Sequence, residues 1–147
     1  MIEVVTPAAE AQPIVASLVQ EALRHQFLPA YYRGAFLAAE TLTYGFANRF
    51  IAGYSGGYWD FFELSNGSFF MAPSGEELLR VVVTDNYTDV EMSPEAAGIV
   101  VTLYTLNYLM HARIRAADRD RFIELYYKLR DYAGEHKDGA AIMAAID

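Results

Sequence analysis

Apolar residues recur with helical spacing towards both ends of the chain, and a central stretch breaks that period. Five helices are predicted, over residues 13–25, 31–51, 94–113, 118–134 and 138–147. Pro29 separates the first two, and Ser93 followed by Pro94 is typical of a helix start. The helix over 94–113 is apolar on nearly all sides, so we expect it at the centre of the core. Residues 1–12 are predicted to form a loose N-terminus.

The central stretch, residues 53–73, is rich in aromatic residues and glycine. Asn66-Gly67 lies between two aromatic runs and predicts a β-hairpin closed by a two-residue type I′ turn. The resulting register opposes Leu64 with Phe69, Phe62 with Met71 and Phe61 with Ala72, and opposed residues share a face. Phe62, Leu64, Phe69 and Met71 then face the core. The second face would carry Trp59, Phe61, Glu63, Phe70 and Ala72, and we expect a helix to cover it because contiguous apolar patches are unusual on soluble monomers.

Two more strands follow the hairpin. Residues 78–84 are rich in β-branched side chains, Asp85-Asn86 is typical of a turn, and residues 87–92 return as a fourth strand. The order of helices, strands and helices predicts an α+β fold. We expect a single domain over residues 1–147, with an antiparallel β-meander of about four strands packed against about five helices.

Composition narrows the chemistry. The 147 residues contain no cysteine, which excludes thiol catalysis, disulfides and thiolate metal sites. The apolar run over residues 99–110 is too short to cross a membrane, and the N-terminus has no signal-peptide pattern, so we expect a cytoplasmic protein. Between Trp59 and Glu95, eight carboxylates face Arg80 alone, a local charge of −7 within a net charge of −8. Such a surface repels phosphates and disfavours direct DNA binding.

The titratable residues do not form a catalytic pattern. The three histidines, His25, His111 and His136, are far apart, and each lies near a predicted helix C-terminus, where a capping role is expected. Glu40 lies on an apolar helix stripe, so we expect it to pair with Arg33 or a tyrosine hydroxyl. Asp60 and Glu63 would face opposite sides of their strand, which argues against a paired-carboxylate site. No catalytic, metal-binding or cofactor-binding residue is predicted.

The hairpin also carries a family resemblance. YSGGYWDFFELSNGSFFMAP resembles the signature of the ArdB/KlcA antirestriction family, which is carried on plasmids and other mobile elements. Its structural signature residues here are Gly56, Gly57, Trp59, Asn66, Gly67, Met71 and Pro73. Further resemblance lies in SPEAAGI (residues 93–99) and in LRDYAGEH through the final AAID. Ser68, Phe70 and the residue after Asn86 depart from the usual family pattern.

The resemblance implies inhibition of type I restriction endonucleases, so that incoming plasmid or conjugative DNA escapes cleavage. It implies a protein partner, either a type I restriction enzyme or an associated host nuclease, and it supplies no catalytic residue. The alternatives left open are a nucleic-acid-binding or DNA-acting protein of a mobile element and a structural protein of such an element.

Charge bears on how an inhibitor of this kind would act. A mimic of only ~10 base pairs of DNA would stand in for about 20 phosphates, whereas the chain has 19 carboxylates mixed with 11 cations. We therefore expect protein-protein inhibition rather than full DNA mimicry. The partner-binding residues predicted are Trp59, Phe61, Glu63, Asp85, Asp89 and Glu91.

Overall fold

The computed structural model describes residues 12–147, so the predicted loose N-terminus lies almost wholly outside the described residues. Within this range there are five strands: β1 (Ala16–Leu18), β2 (Trp59–Leu64), β3 (Phe69–Pro73), β4 (Leu79–Val83) and β5 (Thr88–Met92). Five α-helices accompany them: α1 (Arg24–Tyr32), α2 (Phe36–Phe50), α3 (Pro94–Met110), α4 (Ala116–Glu135) and α5 (Gly139–Ile146). The predicted α+β class is confirmed.

The strands form two sheets rather than the predicted continuous meander. Sheet A has the antiparallel order β1-β2-β3, and sheet B is the β4-β5 hairpin. The meander is interrupted because the edges of β3 and β4 that would have to pair with each other are already occupied. The backbone after α2 pairs with β4 through the Ile51–Val81 bridge and the bond from the Ala52 amide to the Arg80 carbonyl. The far edge of β3 is covered by α3.

The N-terminal helix predicted over residues 13–25 is wrong. Residues 15–19 instead lie along β2, where the Val19 amide donates to the Phe61 carbonyl over 2.8 Å. Apolar residues at short spacing suited either structure, and pairing with an aromatic strand decided the outcome. Pro29 lies inside α1 and does not end it. The break comes at Arg33, whose φ of 51° is left-handed and starts a single 3₁₀ turn.

The hairpin exists, but its loop is one residue longer than predicted. Glu63 opposes Phe69, Phe62 opposes Phe70 and Phe61 opposes Met71. The Gly67 amide bonds to the Leu64 carbonyl, and the Leu64 amide bonds to the Ser68 carbonyl, which closes a three-residue loop over residues 65–67. Gly67 has a φ of 94°, as expected at the last loop position of this hairpin type. The shift moves every β3 side chain to the opposite face from that predicted.

Both faces of the hairpin are covered, so the expectation for the second face is confirmed. Helix α1 covers one face, where the Phe61 and Phe69 rings meet Phe27 with centroids 4.6 and 5.5 Å away. On the other face, Phe70 stacks on Phe62 at 4.7 Å and on Tyr132 of α4 at 5.8 Å. Hydrophobic burial on both sides explains why these strands carry aromatic residues on both faces.

Helix α3 is the centre of the core, as its apolar composition predicted. It starts where Ser93 accepts a hydrogen bond from the Ala96 amide and Pro94 fills the first turn. Thr102, one of the residues that interrupt the apolar run, lies against β3 and exchanges hydrogen bonds with the main chain of Met71, at 3.3 and 3.5 Å. Its hydroxyl therefore satisfies main-chain groups that a further strand would otherwise pair.

Two predictions about isolated polar residues fail. His25 lies in the first turn of α1 rather than near a helix C-terminus. Glu40 is half-buried and makes neither an ion pair nor a hydrogen bond with a tyrosine hydroxyl within residues 12–147, so both predicted pairings, with Arg33 and with tyrosine, are wrong. His111 does follow the last turn of α3, where its Nδ1 lies 2.8 Å from the Asn107 carbonyl.

Candidate interaction surface

The β4-β5 hairpin presents a charged face to solvent. Arg80 lies opposite Glu91 and Val82 lies opposite Asp89 across the hairpin, so these four residues share its outer face. The inner face carries Val81, Val83 and Met92, which are all at least 98% buried. Two of the predicted partner-binding carboxylates, Asp89 and Glu91, therefore share one exposed face, and a third, Asp85, is exposed in the turn that joins the two strands.

Two of these carboxylates are already paired with arginine. Arg80 donates to Asp89 through Nε at 2.8 Å and through an Nη at 2.6 Å. This bidentate bond lowers the pKa of Asp89 and raises that of Arg80. Asp85 accepts from Arg49 of α2 at 3.3 Å. The surface is thus a mixed arrangement of both signs, and the local charge that the sequence indicated is partly neutralised by tertiary contacts.

The turn between β4 and β5 is anchored to the C-terminus of α5. The side-chain amide of Asn86 donates to the Ala145 carbonyl at 2.7 Å, and the Thr88 hydroxyl donates to the Ala144 carbonyl at 2.8 Å. These bonds satisfy carbonyls that lack partners at the end of a helix. They leave Tyr87, with a left-handed φ of 60°, 96% exposed at the tip. Sequence reasoning placed Tyr87 in a strand and missed it as a surface residue, because its exposure depends on contacts with the far end of the chain.

Two predicted partner-binding residues are buried, which corrects that part of the prediction. Trp59 is 3% exposed and donates through its indole N–H to the Tyr54 hydroxyl at 3.0 Å. Phe61 is 8% exposed, with the Arg24 guanidinium 4.1 Å from its ring centroid. Their side chains serve the fold and leave little surface for a partner to contact.

Glu63 is exposed, but it belongs to sheet A and the other three carboxylates belong to sheet B. The Glu63 carboxylate influences the pKa of the Tyr31 hydroxyl on α1. Burial, reinforced by the Glu63 carboxylate, raises the pKa of that hydroxyl to about 12. A contact role for Glu63, Asp85, Asp89 and Glu91 stays a prediction.

The remaining signature residues have conformational and packing roles. Gly56 and Gly57 have φ values of 97° and 121° in an exposed loop, and no atom lies within 4 Å of a Cβ added at either, so backbone conformation alone accounts for glycine there. Asn66 donates to the Lys128 carbonyl of α4 at 2.9 Å. Met71 is fully buried, and Pro73 ends β3 opposite Trp59.

A polar cluster that sequence reasoning did not foresee joins α3, α4 and α5. Glu95 accepts from the Tyr132 hydroxyl at 3.0 Å and contacts His136 Nε2 at 3.2 Å. The other ring nitrogen of His136 accepts from the Asp138 amide at 3.0 Å, so the proton of the neutral ring lies on Nε2 and is donated to Glu95. Every polar atom of this imidazole is therefore engaged. The hydrogen bond from His136 lowers the pKa of Glu95.

We expect this cluster to make the stability of the fold depend on pH in the acid range. A carboxyl whose pKa is depressed by folding contributes stability above its ordinary value of 4.5, and this contribution is lost as the pH falls through the folded value. Glu95→Gln should flatten the loss of thermal stability between neutral pH and strong acid. Melting temperature against pH measures this, with Glu91→Gln on the exposed face of β5 as the matched control. Equal acid slopes in the two variants would contradict the assignment.

Within residues 12–147, no group of three or more His, Asp or Glu side chains is placed to hold a metal ion. None of the helices in that range has the length and apolar character that crossing a membrane requires.

A family model described as "Antirestriction protein" matches residues 52–147, which run from the start of the glycine-rich loop to the end of α5. The chain belongs to the antirestriction protein family. Among curated antirestriction proteins, KlcA of Escherichia coli is 45% identical over 138 residues, which cover 92% of this chain and 94% of KlcA. The putative antirestriction protein YubI of Escherichia coli strain K12 is 32% identical over 93% of this chain and 98% of YubI.

The antirestriction fold is confirmed by a solved structure. That structure matches with a TM-score of 0.84 and 40% sequence identity, over 92% of this chain and 96% of the other. It is described as showing that the KlcA and ArdB proteins have a novel fold and antirestriction activity against type I DNA restriction systems in vivo but not in vitro. The resemblance carried by the aromatic hairpin is therefore confirmed over nearly the whole chain.

Proposed function

We propose that this chain protects incoming plasmid or mobile-element DNA by inhibiting type I restriction in the cytoplasm. Its target is a protein, either the restriction enzyme or a host nuclease that acts with it. Membership of the antirestriction family supports the proposal, as does the activity described for the KlcA and ArdB proteins in vivo. Activity in vivo but not in vitro favours a contact that needs further cellular components.

The pairing of carboxylates on the β4-β5 face is the observation that favours protein contact over DNA mimicry. A DNA mimic presents unpaired negative charge at a density of one per ~1.7 Å. Here Arg80 and Arg49 neutralise Asp89 and Asp85, and they add hydrogen-bond donors to the same surface. Mixed charge with an exposed tyrosine at the tip is the composition of a protein interface rim and anchor.

Inhibition is proposed rather than catalysis. Glu95 and His136 form the one carboxylate-histidine contact within residues 12–147, and both ring nitrogens of His136 are used in hydrogen bonds. A general base needs a free lone pair directed at substrate. The pair instead ties the ends of α4 and α3 together.

Charge reversal on the outer face should abolish protection without unfolding the protein. Asp85→Lys, Asp89→Lys and Glu91→Lys together would place cations beside Arg49 and Arg80, so a complementary partner surface would be repelled. The fold should persist because exposed ion pairs contribute only about 0–1 kcal/mol. Plating efficiency of unmodified phage on cells with a type I system measures protection, and melting temperature measures folding.

The matched control is Glu124→Lys on α4, an exposed carboxylate that is also ion-paired, at 2.9 Å to Lys128. It should protect as well as the unaltered chain. Unchanged protection by the triple variant would refute the assigned surface. Salt-sensitive binding to duplex or single-stranded DNA in a gel shift would instead favour the rival function, a nucleic-acid-binding or DNA-acting protein.

A further inference from the structure

The two edges of sheet A are treated differently by the fold. The edge formed by β3 is covered by α3, with Thr102 bonding to the main chain of Met71. The edge formed by β1 has no neighbouring strand or helix hydrogen-bonded to it within residues 12–147. An uncovered edge offers a row of main-chain donors and acceptors to an incoming strand.

The register identifies which main-chain groups of β1 are available. Val15 accepts from the Ser65 amide and Val19 donates to the Phe61 carbonyl, so the odd-numbered residues bond inward to β2. In an antiparallel pair the alternate residues direct their N–H and C=O groups away from the partner strand. Ala16 and Leu18 therefore present two donors and two acceptors outward.

Apolar side chains surround the β1 edge. Val15, Leu18 and Leu23 are 55%, 59% and 50% exposed, three large apolar residues within nine positions. Leu18, Leu23 and Glu63 are among the residues that line an open groove of about 250 Å³ beside the strand. Edge strands of soluble proteins are commonly protected by a lysine or an inward-pointing charge, and the sequence Ala-Ser-Leu of β1 has neither.

The charges at the margins of the edge indicate what kind of segment would bind. Exposed carboxylates flank it on three sides: Glu63 across from Ser17, Glu21 just beyond the strand, and Glu135, which accepts from the Ile14 amide at 3.2 Å. Arg24, a nearby cation, is held over the rings of Tyr58 and Phe61. The edge therefore complements a segment with basic flanks.

We infer that the protein partner of this chain adds an extended segment to the edge of β1, with apolar side chains in the groove and basic residues at its ends. This inference rests on the proposed function, since the occupant is the partner that function requires. Pairing of β1 with a second copy is disfavoured, because a two-fold antiparallel contact would set Glu21 of one copy beside the end of the strand where Glu135 of the other copy accepts from the Ile14 amide. Strand addition of this kind derives affinity from the main chain and specificity from alternate side chains.

Ala16→Pro tests the main-chain part of the inference. Proline removes the outward donor of Ala16 and leaves the inward bonds of Val15 and Val19, and an edge position tolerates it. In cells with a type I system, protection should fall by about fivefold or more, since a main-chain hydrogen bond to the partner is lost. Gln12→Pro, outside the strand, is the matched control and should keep full protection.

The outcomes separate this inference from the proposed function. If the unaltered chain protects and Ala16→Pro protects equally well, the inference is overturned and the proposed function stands. If the unaltered chain does not protect, the proposed function itself fails. If Ala16→Pro melts at a lower temperature, its loss of protection no longer reports on the edge alone, and Glu63→Lys becomes the deciding variant. Glu63→Lys leaves the strand intact and should also lose protection, with Glu124→Lys as its control. Sedimentation that shows a dimer dissolved by Ala16→Pro would assign the edge to a second copy and overturn the inference.

Discussion

Gly98→Ala is expected to destabilise the protein by about 3 kcal/mol, the upper end of the usual range for overpacking a core. Gly98 lies on the face of α3 that covers β3, one turn before Thr102. A Cβ at this position would collide with the carbonyl oxygen of Met71 and with the Cα and Cβ of Ala72. Main-chain atoms of a paired strand cannot rotate away as a flexible side chain can. The helix would have to move off the sheet edge or the strand would have to distort.

Gly45→Ala is the matched control for this substitution. Gly45 lies exposed in the middle of α2, and no atom lies within 4 Å of a Cβ added there. Alanine should stabilise the protein by about 0.5–1 kcal/mol, since glycine costs about that much in a helix interior. Urea unfolding followed by circular dichroism measures both variants. A Gly98→Ala midpoint equal to that of Gly45→Ala would show that the close helix-strand approach does not limit stability.

Phe69→Ala should cost about 3–5 kcal/mol, the typical loss for removing a fully buried phenylalanine. The ring of Phe69 is 0% exposed. It stacks on Tyr31 at 4.4 Å and meets Phe27 and Tyr32 edge-on at 5.5 and 5.1 Å, so it connects β3 to three aromatic residues of α1. Truncation would remove these contacts and leave a cavity between rigid elements.

Tyr87→Ala provides the comparison, because this aromatic residue is 96% exposed. Its removal should change the free energy of unfolding by no more than about 0.5 kcal/mol. The same unfolding experiment checks both substitutions. A loss below about 1.5 kcal/mol for Phe69→Ala would mean that the α1 rings close the gap, contrary to the packing described above.

The candidate surface was partly predictable from the sequence. A turn at Asp85 and a following strand that carries Asp89 and Glu91 were predicted, and these three residues are exposed. The pairing of Asp85 was not predictable, because Arg49 comes from α2, 36 residues away from Asp85. The prediction that aromatic residues would contact the partner failed for a related reason. Trp59 and Phe61 would suit an interface or a core equally well by composition, and only the placement of α1 and α2 buries them.

The features that the sequence determined by itself depend on local patterns of residues. Ser93 and Pro94 specify the start of α3 through bonds within a single turn, the apolar run specifies a buried helix, and Asn66-Gly67 specifies a hairpin at that point of the chain. The same local pattern was sufficient to identify the antirestriction family. None of these features depends on where the rest of the chain lies.

The tertiary structure decided the loop length, the division into two sheets and the strand at β1. Asn66 and Ser68 bond to carbonyls of Lys128 and Leu125 on α4, so the loop adopts the form that reaches that helix. Covering of β3 by α3 ends the first sheet, and pairing with β2 makes a strand of a segment that also fits a helix. In each case the deciding bond joins residues far apart in sequence, and its free energy exceeds the small differences in local preference that a sequence pattern records.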